Sequence, residues 1–269
     1  MSYDPVRDVV VLYGGGAFNG QWANLQDTWE YDGQDWTQIA TTSAPTGSFG
    51  VSLVYDLRRQ RHVLFGGSRR TGPNTWQAND ETWEYDGQDW TQVATSTAPS
   101  PRTGSSLAYD ARRGVTVLFG GDSLSPYSVM HNDTWEYNGS TWTRILTPFA
   151  PSPRAGPGFA NNAARGRVML CGGYTNTFGS SWIALSDTWE YDGAAWRQLL
   201  SAGGPAFPSG AGMVYDLAAN RCTLERISKD GTTTPVTEIP IAFTNNLLEL
   251  QLPILPEWAG KPLRRSTME

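Results

Sequence analysis

Asp133-Thr-Trp-Glu-Tyr-Asn-Gly139 is the stretch that decides the fold, because the chain contains four near-identical versions of it. The other three versions are residues 27–33, 81–87 and 187–193. The first Trp of each version stands at 29, 83, 135 and 189, which gives steps of 54, 52 and 54 residues. A fixed long period of this kind is typical of stacked supersecondary units. The sequence therefore predicts one repeat body.

Each repeat unit reads as four β-strands, which we name a, b, c and d. Strand b is apolar on both faces, as expected for a sheet between two neighbouring sheets. A short polar turn separates a from b, and Asn138-Gly139 or its Asp-Gly counterpart separates c from d, a strong hairpin signal. Neighbouring strands should therefore be antiparallel. In the third unit the predicted strands cover residues 105–110, 115–121, 133–137 and 141–145.

Glycine pairs and tryptophans recur at fixed places in the unit. We expect the pairs at 14–15, 66–67, 120–121 and 172–173 to end strand b, because glycine tolerates positive φ and close backbone approach. Large indole rings bury much apolar surface. We therefore expect the two Trp of each unit to pack between adjacent sheets. The Glu of each strand c is expected to meet a recurring Arg or a backbone donor.

The composition disfavours several classes of function. The formal charge is -6 and 17% of residues are charged, below the roughly 25% that is usual, which argues against nucleic acid as a partner. With only His62 and His131, a multi-histidine metal site is not expected, and the two cysteines do not make a disulfide framework. No metal or other cofactor is predicted.

The chain carries no recognisable membrane or export signal. No apolar run approaches the roughly 18 residues that a membrane span needs, and the first residues lack a basic and then apolar stretch. The sequence therefore predicts no membrane span and does not identify the compartment; as written, without an export signal, it would be cytoplasmic.

Four apolar residues followed by Gly-Gly, a variable loop, and a Tyr shortly before a Trp resemble the kelch repeat over about residues 3–217. The spacing from Tyr31 to Trp36 is slightly shorter than is usual in that family. The resemblance implies an all-β, kelch-type β-propeller in which each repeat forms one four-stranded blade. We thus expect four recognisable blades and a degenerate C-terminal blade.

The two ends of the chain depart from the repeat. The chain begins almost at the first strand b, so we expect a C-terminal segment to supply most of the first strand a. Residues 225–227 read Glu-Arg-Ile where Phe-Gly-Gly is due, and both lysines fall in this last part. We therefore predict kelch blades over residues 1–217 and a degenerate final blade or closure segment with a tail over residues 218–269.

Function is expected on the loop rim, our name for the side that carries the b-to-c and d-to-a loops. The b-to-c loops are long and differ between units, and variable loops on a rigid scaffold often bind ligands. The tryptophans among the candidates either brace the loops or stack on a ligand. The arginines clamp a carboxylate, or they have a simpler role. For Arg102 and Arg154 that role is to bind loop carbonyls or the recurring Glu, and for Arg69 and Arg70 it is plain solvation. The candidate binding residues are Trp22, Arg69, Arg70, Trp76, Arg102, Tyr127, His131, Arg154 and Trp182.

The sequence is compatible with two classes of function. The kelch resemblance implies a non-catalytic module that presents the loop rim to a protein or a glycan. The alternative is a carbohydrate-active enzyme, since some kelch propellers resemble galactose oxidase or are sialic-acid epimerases. The oxidase version conflicts with a chain that has two histidines and no evident Tyr-Cys pair, and an epimerase would depend on Glu and Arg. We assign no catalytic residue.

Overall fold

A computed structural model of the chain describes residues 1–18, 22–72, 75–124, 128–176, 182–200, 212–216, 221–227 and 233–236. The chain divides into two compact units, Met1–Ile239 and Pro240–Glu269, and every described residue belongs to the first. Among these residues, no helix has the length and apolar character needed to cross a membrane.

All regular elements of the described residues are β-strands. In chain order they are β1 (Ser2–Asp4), β2 (Val9–Phe18), β3 (Trp22–Tyr31), β4 (Trp36–Ile39), β5 (Ser52–Asp56), β6 (Arg61–Phe65), β7 (Ser68–Gly72), β8 (Thr75–Ala78), β9 (Thr82–Tyr85), β10 (Trp90–Val93), β11 (Ser106–Asp110), β12 (Val115–Phe119), β13 (Thr134–Tyr137), β14 (Trp142–Ile145), β15 (Gly158–Asn162), β16 (Arg167–Cys171), β17 (Tyr174–Asn176), β18 (Trp182–Ala184), β19 (Thr188–Tyr191), β20 (Trp196–Leu200), β21 (Gly212–Asp216), β22 (Arg221–Ile227) and β23 (Thr233–Val236).

Four four-stranded antiparallel sheets follow one another along the chain. Their strand orders are β1-β2-β3-β4 in sheet 1, β5-β6-β9-β10 in sheet 2, β11-β12-β13-β14 in sheet 3 and β15-β16-β19-β20 in sheet 4. Each sheet thus runs a, b, c, d as predicted, and the strands of the third unit agree with the prediction to within two residues. The hairpins β7-β8 and β17-β18 extend the b-to-c loops of sheets 2 and 4.

The core lies between adjacent sheets. In sheets 2 to 4 every residue of strand b after the first is buried, as Val117, Leu118 and Phe119 of β12 illustrate. Its two faces serve different interfaces, because Leu118 packs with residues of sheet 2 whereas Val117 and Phe119 pack with Leu170 and other residues of sheet 4. This two-sided burial explains why strand b is apolar without alternation.

In sheets 2 to 4, two features of the backbone require glycine at both positions of the pair. Gly66 and Gly67 have φ angles of 68° and 93°, in the left-handed region that side chains disfavour. A Cβ on Gly66 would also lie 2.5 Å from the carbonyl oxygen of Arg102. Sheet 1 differs from the prediction, because β2 continues through Gly14 and Gly15 to Phe18 with a shift in register beside Gly15. There the pair marks a bulge instead of the end of the strand.

The tryptophans of strand d pack between sheets as predicted, with one exception. Trp90, Trp142 and Trp196 are buried, and each indole N–H donates to the Thr hydroxyl at the start of strand c in the preceding sheet, at 2.8 to 2.9 Å. Trp36 of sheet 1 is 43% exposed. The interface with the preceding sheet therefore buries Trp90, Trp142 and Trp196.

The ends of the repeat array are only partly described. Sheet 1 has a strand a of three residues, β1, supplied by the N-terminus itself. Three antiparallel strands, β21-β22-β23, form a sheet after sheet 4. The residues after Val236 lie outside the described part of the chain, so the expected contribution of a C-terminal segment to sheet 1 and the interpretation of residues 218–269 stay predictions.

Candidate functional site

A four-residue network repeats where strand a turns into strand b. In sheet 3, Asp110 accepts hydrogen bonds from the backbone N–H and the Nε of Arg113, the second at 2.7 Å. Arg113 also binds Glu136, which accepts a 2.7 Å bond from the hydroxyl of Tyr191 in sheet 4. Arg113 further lies 5.3 Å from the centre of the Tyr191 ring. The same network occurs as Asp4, Arg7, Glu30 and Tyr85, and as Asp56, Arg59, Glu84 and Tyr137.

The network fixes the charge states of its Tyr and Arg members. Burial raises the pKa of the Tyr191 hydroxyl, and its bond to Glu136 raises it further, so the hydroxyl remains a donor. Burial opposes the charge of Arg113, but its bonds to Glu136 and Asp110 raise its pKa above the ordinary value. The expectation that the recurring Glu meets an Arg is thus confirmed.

Arg102 is not available to a ligand. Its side chain is 1% exposed, and it makes two bonds with Asp133, at 2.5 and 3.0 Å, as well as bonds with the carbonyls of Gly120 and Ser100. The backbone of Arg102 meanwhile pairs with sheet 2, where its carbonyl accepts from Gly67. One residue therefore joins sheets 2 and 3.

Arg154 repeats this arrangement between sheets 3 and 4. It is fully buried and bonds with Asp187 at 2.6 and 2.8 Å and with the carbonyls of Gly172 and Ser152. The structure therefore corrects the assignment of Arg102 and Arg154 as ligand-binding residues. They do bind loop carbonyls as the alternative held, but their acidic partners precede strand c and are not the recurring Glu.

The carboxylates that meet these arginines are held ionised. Burial alone would raise the pKa of Asp133, but hydrogen bonds from Arg102 and from the indole of Trp135 lower it below the usual Asp value. The pKa of Asp187 is lowered against its burial by the same kinds of partner. A buried, bidentate pair of this type is a structural element of the loop rim.

The b-to-c and d-to-a loops meet on one side of the sheets, as predicted. Isolated bridges pair Phe49 with Ser68, Thr103 with Asp122, and Ala155 with Tyr174, and each bridge joins a d-to-a loop to the b-to-c loop of the same unit. The loops therefore form one continuous surface on which candidate side chains can be compared.

The rim tryptophans differ in their surroundings. Trp76 is half-buried and meets the ring of Phe49 edge-on at a centroid distance of 4.6 Å. Trp182 is 60% exposed and makes a T-shaped contact with the ring of Tyr174 at a centroid distance of 5.0 Å. The side chain of Trp22 and the whole of Tyr127 lie outside the described residues. Trp76 thus fits the bracing role, whereas Trp182 presents its ring to solvent.

The two rim arginines lie on hairpin β7-β8. Arg69 is exposed and donates to Gln77 at 3.3 Å. Arg70 stands opposite Trp76 in the register of the hairpin, and its Nε donates to the carbonyl of Gly72 at 2.8 Å. Arg70 and Trp76 are therefore cross-strand neighbours, while Arg69 projects from the alternate face of the same strand.

His131 belongs to the rim framework. Its Nε2 lies 3.0 Å from the Ser123 hydroxyl, its backbone N–H donates to Gly121, and its carbonyl accepts from Arg154. Burial lowers the pKa of its imidazole, so the side chain is neutral at neutral pH. These bonds give His131 a structural role in the loops of the rim.

Sequence reasoning missed a polar group between the loops of sheets 3 and 4. The Asn176 amide donates to the Ser128 hydroxyl at 2.7 Å, and Ser128 donates to the buried Asp122 at 2.6 Å. The signal was present, since Ser128 occupies the position that holds Trp in the other three units. In the described part of the chain, no group of three or more His, Cys, Asp or Glu side chains is arranged to hold a metal ion.

Comparisons with known proteins agree with this architecture. Residues 3–214 match the family model described as the KLHDC2/KLHL20/DRC7 Kelch-repeats domain. Adagio protein 3 of Arabidopsis thaliana is 29% identical over 184 residues, which cover 64% of this chain and 28% of that protein. The chain thus spans less than a third of the length of that relative. The solved structure of YjhT superposes with a TM-score of 0.65 at 13% identity, over 86% of this chain and 77% of that one.

Proposed function

This chain belongs to the kelch-repeat family, and from that premise we propose that it is a non-catalytic interaction module that binds a protein ligand through the loop rim. The expected kelch-type β-propeller is confirmed by the family match and by the superposition on YjhT. Propellers of this kind offer rigid sheets that carry variable loops, and binding residues often occupy such loops.

The observation that carries the proposal is the exposure of Trp182 on hairpin β17-β18. Its ring is 60% exposed although it makes a T-shaped contact with the ring of Tyr174. Ile183 beside it and Val129 on the loop of sheet 3 are also exposed, at 44% and 52%. Anchored aromatic rings with apolar neighbours are typical of the central contacts of protein interfaces.

Hairpin β7-β8 adds a second part to the proposed surface. Arg69 is exposed and lies on it beside Arg70 and the half-buried Trp76. Arginine is enriched at interfaces because its planar guanidinium makes several directed bonds while its stem packs on apolar groups. We assign Trp182 and Arg69 the direct contacts, and Trp76 and Arg70 the support of the loop.

A non-catalytic role is supported by the use of the acidic residues. Glu30, Glu84 and Glu136 are each engaged by an Arg of their own sheet and a Tyr of the next sheet. An acid or base catalyst must reach the substrate in a state ready to exchange a proton. Carboxylates held in such networks join adjacent sheets and are not free to act in this way. No other observation on the described residues favours turnover of a carbohydrate.

Affinity capture with the intact chain tests the proposal. The immobilised protein is exposed to an extract of its source cells and to a glycan array, and retained proteins are quantified by mass spectrometry. Trp182→Ala and Arg69→Ala are expected to lose the specific ligand. Trp36→Ala and Arg112→Ala, which remove an exposed Trp and an exposed Arg at the side of the c-to-d and a-to-b turns, are expected to retain it.

Three results would contradict the proposal. Equal retention by all four variants would mean that the loop rim is not the binding surface. A glycan bound through Trp182 without protein retention would make the ligand a sugar. Conversion of a bound glycan, detected by NMR, would make the protein an enzyme.

A further inference from the structure

The c-to-d turn of sheet 3 carries an asparagine where sheets 1, 2 and 4 carry an aspartate. Asn138 is exposed, and its Oδ1 accepts hydrogen bonds from the backbone N–H groups of Ser140 and Thr141, both at 3.0 Å. The Oδ1 of the equivalent aspartate accepts the same two bonds in the other three sheets, at 2.8 to 2.9 Å. These aspartates are Asp32, Asp86 and Asp192. The turn thus holds a side-chain oxygen at this position whichever residue supplies it.

The two backbone N–H groups favour negative charge on that oxygen. In sheet 1, bonds from the backbone of Asp35 and Gln34 lower the pKa of Asp32. In sheet 3 the Ser140 hydroxyl adds a third bond to the Asn138 oxygen, at 3.0 Å, and sheets 1, 2 and 4 have no hydroxyl at this position. Donors that are fixed around an oxygen promote a reaction in which that oxygen gains negative charge.

The residue after Asn138 supplies a nucleophile for such a reaction. A bond from the Gly139 nitrogen to Asn138 Cγ closes a five-membered ring through the carbonyl carbon, Cα and Cβ of Asn138. Gly139 has a φ of 101° and no Cβ to hinder this approach. Among the described residues nothing accepts a hydrogen bond from its N–H. The Gly139 nitrogen is therefore free to react.

We propose that Asn138 is a self-modification site, at which the turn converts the asparagine to aspartate or isoaspartate through a cyclic imide. The Gly139 nitrogen gives its proton to water and bonds with Cγ, and the negative charge that develops on Oδ1 is stabilised by the three donors. The bond from Cγ to the side-chain nitrogen then breaks, and this nitrogen takes a proton from water and leaves as ammonia. Water next adds to one carbonyl of the imide and breaks its bond with the Gly139 nitrogen, which regains its proton. One water is consumed and one ammonia is released.

The two products differ in how they fit the turn. Aspartate is the residue of the other three sheets and accepts the same bonds. Isoaspartate lengthens the main chain by one carbon beside Gly139, where even a Cβ would lie 2.7 Å from Nε of Arg59 in sheet 2. Isoaspartate should therefore weaken the contact between sheets 2 and 3. The proposal does not depend on the function proposed for the loop rim.

Ageing of the intact chain in mildly alkaline buffer tests the proposal. Peptide mapping by mass spectrometry follows each asparagine separately, because Asn19-Gly20, outside the described residues, is a second Asn-Gly pair. Asn138 is expected to convert about three- to tenfold faster in the folded chain than in a capped peptide of residues 135–141, in which the donors are not fixed. Ser140→Ala, which copies Ala194 of sheet 4, should slow conversion in the folded chain by about threefold. Circular dichroism checks that this variant is folded.

Ser96→Ala is the matched control, because it removes an exposed hydroxyl that lies 3.3 Å from the hydroxyl of Thr141 in the same turn and makes no bond with Asn138. It should convert at the rate of the wild type. Conversion in the folded chain that is no faster than in the peptide would mean that the turn protects Asn138, and would overturn the proposal. Equal rates in Ser140→Ala and the wild type, or equally fast conversion of the exposed Asn132, would overturn it as well.

Thermal melting tests the difference between the two products. Asn138→Asp should melt at the temperature of the fresh wild type, because it copies the other sheets. The isoaspartate form, separated from the aged protein by ion exchange and identified with an isoaspartate-specific methyltransferase, should melt at a lower temperature. Equal melting temperatures of the isoaspartate form and the fresh protein would contradict the weakened contact between sheets 2 and 3.

Discussion

Trp142 and Trp36 occupy the same position of the repeat, yet they are 1% and 43% exposed. Trp142 packs against Phe65 of the preceding sheet at 5.2 Å and donates to Thr82 of the same sheet. Trp36 makes a tilted ring contact with Tyr31 of its own sheet. The repeat motif therefore stabilises the fold mainly by packing its strand-d Trp against the preceding sheet.

The largest expected effect comes from removing the two indoles in turn. Trp142→Ala should lower the free energy of unfolding by about 3 to 5 kcal/mol, because it empties a fully packed position and leaves the Thr82 hydroxyl without its donor. Trp36→Ala should cost about 1 kcal/mol. Urea unfolding followed by circular dichroism measures both values. Similar losses in the two variants would show that burial against the preceding sheet is not the source of the stability.

The sheets also differ at one position of the d-to-a loop, shortly before strand a. Sheets 3 and 4 use Arg102 and Arg154, but sheet 2 has Ser48 at this position. Arg102→Ser should cost about 3 kcal/mol, because it leaves the carboxylate of Asp133 partly buried without its cation. Differential scanning calorimetry should show a lower melting temperature.

The chain itself offers a way to restore this loss. In sheet 2, Glu81 takes the place of Asp and reaches the backbone N–H and hydroxyl of Thr46, at 3.1 and 2.8 Å. The double variant Arg102→Ser/Asp133→Glu copies this arrangement, with Ser100 in the place of Thr46. It should recover part of the lost melting temperature. A double variant less stable than Arg102→Ser would contradict the comparison.

The sequence predicted the strands well because the repeat supplies four versions of each element. Periodicity located the sheets, and the Asn-Gly and Asp-Gly pairs located the turns. The role of Arg102 was harder, since its partner Asp133 lies 31 residues away and nothing local indicates the pair. A signal did exist, because the one unit of sheets 2 to 4 that lacks the arginine also changes the acid from Asp to Glu81.

The rim could not be predicted in the same way because loop contacts vary between units. Trp76 and Trp182 have the same repeat position, but only Trp76 has Phe49 beside it. The residues equivalent to Phe49 in sheets 3 and 4 are Thr103 and Ala155, neither of which can pack an indole ring as Phe49 does. Whether a rim tryptophan is braced or presented therefore depends on another loop.

Sheets 2 and 3 differ at one buried position of strand b, which is His62 in sheet 2 and Thr116 in sheet 3. Burial lowers the pKa of His62 to about 3, although Asp4 at 4.0 Å opposes this. The unfolded chain binds a proton below about pH 6.5 whereas the folded chain does not, so stability should fall as pH drops from about 6.5 toward 3.

The slope assigned to His62 is about 1.4 kcal/mol for each pH unit, or about 2 kcal/mol between pH 6.5 and 5. Urea unfolding at several pH values measures it. His62→Thr, which copies sheet 3, should remove this part of the slope whatever its effect at pH 7. An unchanged slope in His62→Thr would mean that other groups cause the loss in acid.

The smallest expected effect tests the same principle with single hydroxyl groups. Tyr137 donates to Glu84 of the preceding sheet at 2.8 Å, whereas Tyr31 makes no such bond within the described residues. Tyr137→Phe should cost about 1 kcal/mol, because Glu84 keeps Arg59 but loses its second donor. Tyr31→Phe should leave the midpoint of urea unfolding unchanged. A loss in Tyr31→Phe as large as that in Tyr137→Phe would show that the hydroxyl of sheet 1 also has a partner, and that this end of the array is covered in solution.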